Sequence, residues 1–138
     1  MGNRRKAREL AIQILFHMEF SPGNADEVFE LICENFNSSK SIRAFSRKLV
    51  CGVSEKMEYL DKLIRHSSTN WRLERMSKVD RSILRLSAFE ILFMEDIPPK
   101  VSIDEAVELG KKYGNEESGA FINGVLDNIF NELNLKSL

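Results

Sequence analysis

"VDRSILRLSAFEILF", residues Val79–Phe93, decides the fold class. Wound at 3.6 residues per turn, Ile83, Leu84, Leu86, Ala88, Phe89, Ile91, Leu92 and Phe93 make a surface that is apolar nearly all round. A helix of that kind belongs at the centre of a bundle, covered by its neighbours. Ser77 stands where an N-cap is needed, with Asp80 three residues on. Ile97-Pro98-Pro99 stops the run, because proline cannot continue the hydrogen-bond ladder.

The rest of the chain carries the same period. Downstream, Ser102-Ile103-Asp104-Glu105 has the spacing of a capping box and predicts a helix opening there, which Gly114 ends after Tyr113. A last helix is predicted from about Glu116, with Phe121, Ile122, Val125, Leu126, Ile129, Phe130 and Leu133 on its apolar side. Upstream, Ala7, Leu10, Ala11, Ile14, Leu15 and Met18 form a one-sided helical stripe that Ser21-Pro22-Gly23 closes. A short helix over Asp26–Phe36 and a polar loop, Asn37–Ser41, come next. From Ile42 the pattern runs through Phe45, Leu49, Val53, Met57, Leu60 and Ile64, with a kink predicted near Gly52-Val53-Ser54. No alternating strand is visible, and Asn123-Gly124 lies inside a helical pattern. The expectation is an all-α, compact bundle of six or seven helices. It forms one domain over 1–138, in two halves (about 1–67 and 70–138) joined near Ser67–Arg75.

Composition narrows the class. At 138 residues, 43% hydrophobic and 30% charged, the chain has the make-up of an ordinary globular domain. Its net charge of −1 hides an uneven spread: Arg4, Arg5, Lys6 and Arg8 come before the first acid, Glu9, and the other sixteen basic residues face 21 acids. A basic end on an acidic body points to a localised anion site. Cys33 and Cys51 lack metal-ligand spacing and fall in helical apolar patterns, as buried free thiols of a reducing cytosol would. No run of about 18 apolar residues suggests a membrane span, and Glu9 and Glu19 argue against a transit peptide. The expected location is cytoplasmic.

Catalytic readings find little support. His17 and His66 are far apart, the glycines form no phosphate-binding loop, and Asp104-Glu105 and Glu116-Glu117 are adjacent acids that point to different helical faces. Neither an enzyme nor a metal or cofactor site is expected.

Three blocks, "VDRSILRLSAFEILF", "IPPKVSIDEAVELGKKYG" and "ESGAFINGVLDNI", resemble the signature blocks of the bacterial NusB family of transcription antitermination factors. "RRKARELAIQILF" resembles that family's arginine-rich opening. The likeness runs through nearly the whole chain in the right order. It implies a non-catalytic helical protein that binds boxA single-stranded RNA of ribosomal RNA transcripts. Binding would be shared with NusE, a small-subunit ribosomal protein, in a larger complex with NusA, NusG and RNA polymerase. The length suits the free-standing factor rather than a fusion to an RNA methyltransferase. The alternative from another class is a protein–protein adaptor or homodimer with incidental RNA affinity.

The candidate RNA residues begin with Arg4, Arg5, Lys6 and Arg8, cations whose affinity for phosphate is salt-dependent. Arg5, Ile12 and Phe16 share a mixed stripe off the main apolar face. It can be a second buried face or an aromatic beside cations, suited to base stacking. The resemblance places Phe16 on the RNA side. Gly114 and Gly119 bracket a helix start whose N–H groups could meet phosphate. Phe121 is in phase with Val125 and Ile129, which favours core, whereas the resemblance puts it at the RNA-facing edge. Lys111, Lys112 and Asn123 complete the set, with Glu116 and Glu117 opposing a uniformly attractive patch. For the protein partner the resemblance points to Asp80 and Arg81, which helix capping and a surface ion pair would equally explain.

Overall fold

The structure is a computed structural model that describes residues 2–20, 23, 25–33, 39–68, 73 and 76–137. Six helices follow one another: α1 (Asn3–Phe20), α2 (Ala25–Cys33), α3 (Lys40–Ser67), α4 (Lys78–Phe93), α5 (Pro99–Tyr113) and α6 (Ser118–Ser137). There is no strand among the described residues, so the all-α bundle expected from the periodicity is the fold found.

Helix α4 sits at the centre, packed on α1, α3, α5 and α6. Ser77 caps it as predicted, its hydroxyl accepting from the Asp80 N–H at 3.0 Å. One hydrophobic cluster joins α1 (Leu10, Ile14), α3 (Leu49, Leu60, Ile64), α4 (Ile83, Leu84, Leu86) and α6 (Ile122, Leu126, Ile129). Helix α1 is buried over a wide arc: of the two readings of its mixed stripe, Ile12 takes the buried one and enters the core.

Four local expectations change. Ser39 caps α3, so the helix begins at Lys40 and the polar loop ends earlier than Ser41; Phe36 and residues 37–38 lie outside the described residues. Helix α3 runs through Gly52 as one helix from Lys40 to Ser67. Glycine is there for room: a Cβ would lie 2.1 Å from Cζ of Phe89 on α4. Helix α5 opens at Pro99, not at a capping box, with proline in its first turn and Ser102 facing inward. Gly114 ends α5 as predicted, but with extended backbone (φ −94°, ψ −160°); a Cβ there would meet Ser118 Oγ at 2.2 Å.

Ion pairs fix how the helices cross. Arg81 and Arg85 of α4 converge on Glu19 of α1, with Arg81 Nη2–Oε2 and Arg85 Nη1–Oε1 both at 2.6 Å. Arg85 also reaches Asp61 of α3 with two hydrogen bonds, at 2.8 and 3.0 Å. The two guanidinium groups hold the Glu19 carboxyl below its ordinary range against the opposing effect of burial.

Candidate nucleic-acid interface

Side chains from the N-terminal half of α1 and from α5 bound a cleft of about 130 Å³ lined by Arg5, Glu9, Glu105, Glu108, Leu109 and Lys112. Two connections cross it. Arg5 donates from Nε and Nη2 to the two carboxylate oxygens of Glu105, at 2.9 and 2.8 Å. Glu9 accepts from Lys112 Nζ and from the Tyr113 hydroxyl, the latter at 2.6 Å. The hydrogen bond from Arg5 is the main reason the Glu105 carboxyl sits below its ordinary value, and the same bond raises Arg5. Burial works against the charge on Glu9, but Lys112 and Tyr113 overcome it and hold that carboxyl low as well. The Lys112 ammonium is raised in turn, chiefly by its bond to Glu9. At neutral pH all four groups are therefore charged.

Further cations are exposed on these two helices. Arg4 and Lys6 are exposed on α1, and Lys111 is exposed on α5. Arg4 pairs with Asp96 at 3.2 Å and lies over the Phe45 ring at 5.0 Å. Lys111 pairs with Glu108 at 3.6 Å. Arg5 and Lys112, about a hundred positions apart in the chain, thus meet at one cleft.

Arg8 departs from its expected role as a phosphate contact. Its side chain is buried between α1 and α4, with Nε and Nη2 on the Glu90 oxygens at 2.8 and 2.7 Å. Ser102 adds a hydroxyl to the same carboxylate at 3.0 Å. A guanidinium enclosed in this way is a structural cation.

Phe16 does not join the cleft. It lies eleven residues along α1 from Arg5, about 16 Å at 1.5 Å per residue, half-buried and edge-on to Phe20 with ring centroids 5.0 Å apart. Phe121 is also half-buried and lines a second hollow of about 580 Å³, with Met76, Ser77, Asp80, Asn115, Glu117 and Ala120. Asp80 is 7% exposed, and its Oδ1 has no hydrogen-bond partner among the described residues. Arg81 is tied to Glu19 and to the Leu73 carbonyl, so little of it faces outward.

The helix start after Gly114 is capped from within. The Asn115 side chain accepts from the Glu117 N–H, and Ser118 Oγ accepts from the Asn115 N–H. These bonds commit the N–H groups of Asn115 and Glu117, which precede α6. Asn123 is exposed and donates to Asp127 at 3.4 Å.

The sequence matches the NusB family over residues 5–131. The chain belongs to that family. The NusB of Desulforapulum autotrophicum is 51% identical over 131 residues, covering 94% of this chain and 92% of that protein. The NusB of Syntrophus aciditrophicus is 45% identical and covers 99% and 85%. Both are named as transcription antitermination proteins. Among solved structures, T. maritima NusB superposes with a TM-score of 0.84 at 38% identity, covering 94% of this chain and 91% of that one. A NusB bound with NusE and double-stranded RNA gives 0.85 at 29% identity, covering 94% and 97%. No described helix is long and apolar enough to cross a membrane.

For a NusB-family chain, the residues that sequence reasoning passed over are Glu9, Glu105 and Tyr113. Glu9 falls one helical turn after Arg5, a spacing visible in the sequence. Its partners on α5 could be found only once the two helices were placed together.

Proposed function

We propose that this chain is a cytoplasmic transcription antitermination factor that binds single-stranded boxA-type RNA of ribosomal RNA transcripts, acting with NusE. The carrying observation is the convergence of Arg5 from α1 and Lys112 from α5 at one cleft, with Arg4, Lys6 and Lys111 exposed on the same two helices. Such a face suits phosphate contact, which gives affinity without sequence choice. Choice among RNAs then falls to aromatic and polar groups outside the cleft, for which Asn123 and Phe121 on α6 and Phe16 further along α1 are the candidates, Phe121 at the edge of the second hollow. The relative solved with NusE and RNA supports both partners. NusA, NusG and RNA polymerase follow as the assembly in which antitermination occurs.

NusE is assigned to the hollow beside Asp80. A buried carboxylate oxygen without a donor among the described residues, walled by Met76, Ala120 and Phe121, suits a cationic or amide group carried in by a protein surface. Arg81, next to Asp80 in α4, is the second candidate on this side, held by Glu19 and the Leu73 carbonyl.

The test is a fluorescence-anisotropy titration of boxA-like and scrambled single-stranded RNA over a salt series, with and without NusE. About four phosphate contacts predict a log–log salt slope near −3, at about −0.7 per contact. Preference for the boxA-like RNA, strengthened by NusE, is the expected result. Equal weak binding to both RNAs, unaffected by NusE, overturns the reading in favour of an adaptor or homodimer.

A further inference from the structure

The cations of the α1–α5 face already hold carboxylates of their own chain, and the two sides of these pairs are unequally fixed. The Glu105 and Glu9 side chains are 19% and 10% exposed, whereas their partners Arg5 and Lys112 are 44% and 55% exposed. Each acid is anchored in the protein, and each cation stands at the end of a long side chain free to swing outward. Glu105 presents two oxygens to the Arg5 fork, the arrangement a phosphate would offer. Lys6, exposed on α1 next to Arg5, has no carboxylate partner among the described residues.

We propose that RNA engages this surface by exchange. Phosphates take Arg5 and Lys112 away from Glu105 and Glu9, and the two carboxylates act as a built-in brake on affinity. The proposal rests on the RNA-binding reading above and adds its regulation. On exchange, Glu105 is left without its cation in a partly enclosed position, while Glu9 keeps only the Tyr113 hydroxyl. That cost opposes binding, so isolated small anions do not displace the acids and a polyanion with several phosphates in register does. The released carboxylates also gather counter-cations, which cancels part of the ion release that drives association. Arg8 takes no part: Glu90 is as buried as Arg8 is, and Ser102 holds it as well.

The test measures binding of a single-stranded boxA-like RNA by wild type, E105Q, E9Q and the control E58Q over a salt series. Glutamine keeps an acceptor for each partner and removes the charge; Glu58 is an exposed acid on α3, outside the cleft. E105Q and E9Q are expected to tighten binding about two- to fivefold each, the equivalent of one exposed ion pair. Their salt slopes steepen by up to about 0.7 per acid removed, and E58Q changes neither quantity. A merely structural role for the acids would loosen binding and leave the slope alone. If wild type binds, Lys6→Glu weakens it, and E105Q and E9Q match E58Q, the exchange is overturned while the RNA reading stands. If none of the proteins binds RNA, the RNA reading itself fails and takes the exchange with it.

Discussion

Arg8 and Glu90 meet edge to edge between α1 and α4, with both bonds under 3 Å and neither side chain more than 4% exposed. Removing one partner of such a pair leaves a buried charge alone, which typically costs about 3–5 kcal/mol. R8A is therefore expected to lower the urea midpoint sharply. R8M/E90L/S102A removes both charges and the hydroxyl that serves them, and should recover most of that stability. The same triple variant separates structure from recognition. It should bind RNA like wild type, because Arg8 does not reach the RNA face; a folded triple variant with much weaker binding would return Arg8 to the contact set.

Gly52 gives a second stability prediction, and two effects of opposite sign decide it. Alanine in mid-helix gains about 1 kcal/mol over glycine. Its Cβ, however, would overlap the Phe89 ring at 2.1–2.7 Å. Overpacking of that kind costs about 1–3 kcal/mol where the core can give, and more where it cannot. G52A should be destabilising overall. G52A/F89V should lie well above the sum of the single effects, since the smaller side chain clears the space and exposes the propensity gain. Additive losses in denaturant unfolding would show that the ring is not what requires the glycine.

Acid should weaken the contacts made by Glu9, Glu19 and Glu105. Each carboxyl is held below its unfolded value by cations in the folded state, so the unfolded chain binds more protons in that range. Their contribution is complete above the unfolded glutamate value and is lost as pH falls through the folded one. Stability is thus expected to be flat near neutrality and to decline below about pH 5. Urea midpoints measured across that window should fall less steeply for E105Q than for wild type; parallel curves would exclude Glu105 from the effect.

The bundle was legible because its signals are local. The all-round apolar face of α4, the Ser77 cap and the Pro98-Pro99 stop each act within a few residues. What sequence reading missed depends on a second helix. Gly52 looks like a kink until Phe89 is placed against it, and Ser102 has capping-box spacing but is recruited inward by Glu90. Arg8 shares a basic run with Arg4–Lys6, yet lies in phase with Ala11 and Leu15, and Glu90 is the one acid inside the apolar run Ile83–Phe93 of α4. Two charges in two apolar segments are the trace that a buried pair leaves in a sequence. The RNA face was half legible. Its cations stand out by composition, but the acids that hold them belong to partnerships spanning about a hundred residues.

Asp80 should separate stability from partner binding. It lies in the first turn of α4, where a negative charge gains about 0.3–1 kcal/mol from the helix dipole. Against that, a buried oxygen without a donor costs about 1–3 kcal/mol. The second effect is the larger, so D80A should leave the isolated protein as stable as wild type or somewhat more so. Its affinity for NusE should nevertheless fall about tenfold or more, as expected when a buried contact loses its acceptor. Calorimetric titration with NusE, run beside thermal melting of the free protein, reads both quantities. A melting point that drops together with the affinity would make Asp80 a folding residue. Unchanged affinity at unchanged stability would move the NusE contact away from this hollow.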